Sequence, residues 1–106
     1  MVSKLAKDIE KCLEEHLDEI KQIPLPQIKE LPSYSDKEIK VNDKLCTLAI
    51  WKNQRNDGTI ELIIQIYYAG WGYRLFGAGM MTADGFLIDT EGNFLKLPDE
   101  IRWKYC

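Results

Sequence analysis

The sequence predicts an α+β domain: one long N-terminal amphipathic helix packed on an antiparallel β-meander of four to six strands. Three observations predict it. Apolar residues recur at helical spacing from Leu5 to Ile23. Two runs rich in β-branched and aromatic residues, Leu45 to Gln54 and Thr59 to Ala69, flank the turn sequence Asn56-Asp57-Gly58. Further turn signals follow at short intervals to Asn93. The 106 residues suit a single domain, 1–106. It divides into a helix (1–23), a Pro-containing wrap (24–43) and an antiparallel sheet (44–106) ending in a short helical turn or strand.

In the helix, Ser3 is placed to cap the N-terminus. Leu5, Ile9, Cys12, Leu13, Leu17, Ile20 and Ile23 form one stripe, and Lys4, Lys7, Lys11, Glu14, Asp18 and Lys21 fall on the opposite side. Pro24 ends it. In the wrap, Pro24, Pro26 and Pro32 argue against regular structure, so the chain is expected to run extended over the core, anchored by Leu25, Ile28 and Leu31. Ile39 and Val41 alternate with charges, which places an edge strand near Glu38 to Asn42.

The register of the first long hairpin follows from its loop. A type I turn followed by Gly58 in the left-handed conformation pairs Arg55 with Thr59. Strand alternation then puts Cys46, Leu48 and Ile50 on one face with Ile60, Leu62, Ile64, Ile66 and Tyr68. Trp51, Gln65 and Tyr67 fall on the second, semi-polar face, expected to be partly exposed. Gly70 and Gly72 bracket Trp71 at a turn or bulge, Tyr73 to Phe76 resumes a strand, and Gly77-Ala78-Gly79 allows a bend. Asp84-Gly85 reads as a turn, Phe86 to Asp89 as a short strand, Thr90 to Asn93 as the next turn, and Phe94 to Leu97 as the strand closing a second hairpin. Pro98-Asp99-Glu100 has the composition of a helix start.

Composition narrows the function classes. Hydrophobic residues make up 45% and charged residues 29%, which suits a globular chain, and the net charge is −3. No segment forms a basic patch, so direct nucleic-acid binding is disfavoured. Cys12, Cys46 and Cys106 have no paired spacing, which points to reduced thiols and a cytoplasmic protein. The N-terminus has no apolar signal-like region, and Leu62 to Ala83 is too broken by Gln65, Arg74 and glycines to read as a membrane span.

No catalytic set, metal site or cofactor motif emerges. His16 is the only histidine, one helical turn after Cys12. The pair lacks further local ligands, so a histidine bonded to backbone at the helix edge is expected rather than a zinc ligand. Gly70 to Gly79 matches neither phosphate-loop pattern. Asp84, Asp89 and Glu91 fall at successive expected turns, where they would gather at one sheet end, but turn geometry alone explains their residue types.

One feature resists a local explanation. Glu14, Glu15, Asp18 and Glu19 load the C-terminal half of the helix with negative charge, against the sense of its dipole. With Trp71, Tyr73 and Arg74, residue types favoured as interface anchors, they are the candidate binding residues. The expected function is a non-enzymatic protein-binding domain, monomeric or weakly dimeric, with a basic protein as partner. An inhibitor or immunity-type protein that neutralises a basic nuclease toxin is its concrete form. The competing class is a small-ligand or catalytic domain with a pocket between helix and sheet.

Overall fold

The structure, a computed structural model, describes residues 4–68 and 80–105. Residues 1–3, 69–79 and 106 lie outside it. The Ser3 cap, the glycine turn at 70–72, the strand at 73–76, the bend at 77–79 and Cys106 therefore fall outside the described residues.

Helix α1 spans Lys4–Lys21 and buries the stripe Ile9, Leu13, Leu17 and Ile20. Five strands follow the meander order β1-β2-β3-β4-β5, every pair antiparallel: β1 Tyr34–Val41, β2 Lys44–Gln54, β3 Ile60–Tyr68, β4 Met80–Ile88 and β5 Phe94–Lys96. The expected α+β architecture is the observed one. α1 lies across one sheet face against β1, β3 and β4.

The wrap is more ordered than its prolines suggest. A short helix α2 occupies Leu25–Glu30, where an extended run was expected. Its prolines stand at the cap and in the first turn, where backbone N–H groups lack intrahelical partners anyway and a φ near −65° suits a helix. The Pro24 carbonyl accepts bonds from Gln27 N at 3.0 Å and Ile28 N at 3.1 Å. The anchors hold: Ile28 is buried, and Leu25 and Leu31 pack against the core. The edge strand is also longer than the Glu38 to Asn42 expected, since β1 pairs from Tyr34↔Trp51 to Val41↔Lys44. Its extra residues are mostly exposed and carry little hydrophobic signal. Backbone contacts fix them, among them Lys52 N to Ser33 O at 2.9 Å. Asn42 and Asp43, with φ of 50° and 63°, make the tight turn into β2.

The hairpin register is the expected one. Arg55 N donates to Thr59 O at 2.8 Å, Gly58 N donates to Arg55 O at 3.0 Å, and Gly58 has φ of 90°. Leu48 faces Ile66 and Ile50 faces Ile64, placing both sets under α1 in the main core. The β4–β5 hairpin repeats the geometry, with Asp89 N to Asn93 O at 3.0 Å, Gly92 N to Asp89 O at 3.1 Å, and Gly92 at φ 87°.

The Asp84-Gly85 turn does not exist. Both residues sit inside β4, paired with Ile64 and Ile63. Gly85 serves a close approach instead, since a Cβ there would lie 2.1 Å from the Leu62 carbonyl oxygen. The three acids consequently do not gather. Asp84 lies five residues up the strand from Asp89, roughly 17 Å at strand rise.

The second sheet face is half as expected. Trp51, Gln65 and Tyr67 are intermediate in exposure. Beside them, Ile63, Ala83, Leu87 and Leu97 form a second small core, with Trp51 and Ile101 packed against it. Ile101 belongs to helix α3, Asp99–Arg102, which continues into a 3-10 turn at Trp103–Tyr105.

The two glycines of the last hairpin predict different costs. Gly92→Ala must adopt a positive φ but meets only an ordinary contact at 3.6 Å, so it should cost about 1 kcal/mol. Gly85→Ala must push β3 backbone away and should cost about 3 kcal/mol. Urea denaturation of the two variants measures both, and equal losses would contradict the close-approach reading.

Candidate functional site

α1 presents its acids because the opposite stripe is committed to the sheet. Glu14, Glu15, Asp18 and Glu19 are all exposed. Consecutive helical residues are about 100° apart, so the four form two rows, Glu14 with Asp18 and Glu15 with Glu19. The first acid of each row borders a different groove. Glu14, with Glu10, borders a cleft of about 220 Å³ against Thr82, Asp84 and Arg102. Glu15, with Asp8, borders one of about 290 Å³ against Lys40, Val41 and Asn42. Asn42 Nδ2 donates to Asp8 Oδ2, joining two residues that line that groove.

None of the four acids makes an ion pair among the described residues. The ion pair found there, Arg55 Nε to Glu61 Oε1 at 2.6 Å, braces the β2–β3 hairpin. Each row is a like-charge i, i+4 pair, which destabilises an isolated helix by about 0.2–0.5 kcal/mol. Lys21 is the basic residue of the last turn. Trp71, Tyr73 and Arg74, the other candidate binding residues, lie outside the described residues.

Cys12 and His16 occupy the edge of the same helix. His16 Nδ1 lies 2.8 Å from the Cys12 carbonyl oxygen and 3.6 Å from Cys12 Sγ. The ring is therefore tied to its own helix. Among the described residues no group of three or more His, Cys, Asp or Glu side chains is placed to hold a metal ion. Burial pushes the Cys12 thiol above its ordinary pKa, and the charges of Glu15 and Glu19 push it further. Cys46, beneath the helix, is raised mainly by burial and secondarily by Cys12.

The turn acids have structural work. Asp89 Oδ1 accepts Glu91 N and Asn93 N, each at 2.9 Å, which holds its carboxyl below the usual range. Asp57 Oδ1 accepts Thr59 N at 2.8 Å with the same consequence.

The centre of the interface between α1 and the sheet is filled by side chains, while Ala6, Ile9 and Glu10 line an open cleft of about 150 Å³ with Met81 and Thr82. Ile9 and Leu13 are 2% and 4% exposed, and Leu62, Ile64 and Ile66 are 0%. The clefts bordered by α1 lie along its flanks and open to solvent. No helix of the described residues is long and apolar enough to cross a membrane. No protein family, curated protein or solved structure gives a match to this chain.

Sequence reasoning missed the clefts themselves, in particular one at the end of β5 bordered by Lys21, Lys96 and Arg102. These cations come from three separate elements. Their only sequence signal is Pro98, which takes the chain out of the sheet just after Lys96.

Cys12 gives a direct readout of the acidic field. Its alkylation by iodoacetamide should follow a pH profile displaced above that of free cysteine, because only the thiolate reacts. E15Q/E19Q should move the profile back down and speed alkylation at pH about 8. A profile unmoved by that pair would mean the acids do not bear on the thiol.

Proposed function

We propose that this chain is a non-enzymatic protein-binding domain whose acidic α1 ridge steers a basic protein partner. The observation that carries the reading is the set Glu14, Glu15, Asp18 and Glu19: exposed, without ion pairs among the described residues, on a helix whose opposite face is buried. Such a ridge is rigid. Its charges oppose both the helix dipole and one another, so an approaching basic surface would relieve repulsion as well as gain attraction. Complementary charge of this kind raises association rate and excludes wrong partners more than it deepens affinity.

The centre of the helix–sheet interface is filled, which argues against an enclosed pocket between helix and sheet. Trp71, Tyr73 and Arg74 are assigned as anchors on their residue types, which are those enriched at interface centres. The partner class that fits is a basic nuclease toxin, with this chain as an inhibitor or immunity-type protein. Direct contact with nucleic acid is disfavoured, because phosphate charge would meet the same carboxylates. A cytoplasmic, monomeric or weakly dimeric protein is the corresponding setting.

The experiment is kinetic. A basic partner recovered by low-salt capture should associate about tenfold more slowly with E14Q/E15Q/D18N/E19Q than with the native chain, with dissociation nearly unchanged. The difference should vanish near 1 M salt, where the Debye length is about 3 Å. An association rate indifferent to both substitution and salt would reduce the ridge to a solvated surface.

A further inference from the structure

β5 pairs with β4 only over Phe86–Ile88, so ahead of Phe86 the β5 side of β4 has no strand partner among the described residues. A cleft of about 360 Å³ lies there, within the range of small-ligand sites. Lys21 reaches it from the end of α1, Lys96 from the end of β5 and Arg102 from α3. Asp84, Asp99, Phe86 and Phe94 complete the part that matters.

Its chemistry is specific in kind. All three cations are exposed, and none makes an ion pair among the described residues despite the two nearby carboxylates. With three cations against two carboxylates, its lining carries a formal charge of +1 on a chain of net charge −3. Lys21 Nζ stands 5.6 Å from the centroid of the Phe86 ring, which orients the ammonium beside the aromatic floor. Phe86 and Phe94 meet edge to face at 5.0 Å and 83°. Phe86 is buried, whereas Phe94 is 43% exposed and offers ring surface to a ligand. One oxygen of Asp84 is held by Gly85 N at 2.8 Å, which fixes that carboxylate against the wall.

We propose that this cleft binds a small phosphorylated ligand bearing a planar ring, of the mononucleotide class. Three cations from three elements suit a dianion better than a single carboxylate, and the Arg102 fork matches phosphate geometry. The ring of the ligand stacks on Phe94. Asp84 and Asp99, acceptors when ionised, take hydrogen bonds from sugar hydroxyls. The site adjoins the acidic ridge, since Asp84 and Arg102 also border the groove beside Glu14, but it does not use Glu14, Glu15, Asp18 or Glu19.

The test is titration of the intact chain with AMP, GMP, CMP and UMP, followed by calorimetry and amide chemical shifts. Inorganic phosphate and adenosine serve as partial ligands. At least one mononucleotide should saturate with Kd below about 1 mM at low salt, at least about fivefold tighter than either partial ligand. Shifts should concentrate at Gly85, Phe86, Lys96 and Leu97, and K21A/K96A/R102A should weaken binding about tenfold. Failure of all four to saturate, shifts centred elsewhere, phosphate binding as tightly as the nucleotides, or a folded triple variant with native affinity would each overturn the proposal. Where the triple variant does not fold, the shift map of the native chain decides.

Discussion

Burial of β3 on both faces is the constraint on which the rest of the structure depends. Ile60, Leu62, Ile64 and Ile66 point under α1, and Ile63 points into the second small core. Burying one such side chain is worth about 1.5–3 kcal/mol, so these five together contribute on the order of 10 kcal/mol. That is comparable with the whole net stability of a typical domain, about 5–15 kcal/mol. A strand of this kind cannot lie at an edge. It requires β2 and β4 on either side, α1 over one face, and the segment from Leu97 to Ile101 over part of the other. The close approach at Gly85 belongs to the same constraint, since it lets β4 pack tightly on the central strand.

Much of this fold was legible because its signals are local or periodic. The α1 stripe repeats at helical spacing, and the two Gly-containing loops determine hairpin register through a single positive-φ residue each. What misled was residue type without position. Prolines usually break helices, but Pro24 and Pro26 stand at the start of α2, where they fit. Asp84-Gly85 has turn composition, but Gly85 answers to the Leu62 carbonyl across the ladder, a tertiary contact that no local window contains. β1 ahead of Glu38 was invisible for the opposite reason: its outer residues bury little and are fixed by backbone pairing.

The candidate site divides the same way. Glu14, Glu15, Asp18 and Glu19 stood out in the sequence because they contradict a local rule about helix ends. The fold adds that they form two rows, whose first members Glu14 and Glu15 border separate grooves. The cationic cleft could not be read from the sequence, because Lys21 lies far along the chain from Lys96 and Arg102 and joins them only through topology. His16 is the reverse case. Its spacing from Cys12 suggested chemistry, and the hydrogen bond to the Cys12 carbonyl gives it a local structural role.

Surface charge and core burial thus act on opposite faces of α1, and the buried face must supply what the acidic face costs. Whether β3 is the element that holds this arrangement together is measurable by native-state hydrogen exchange. The amides of Leu62, Ile63, Ile64 and Ile66 should be the slowest in the chain and exchange only through global unfolding. If they exchange through a smaller opening while the α1 amides stay protected, the central strand is not what the fold depends on.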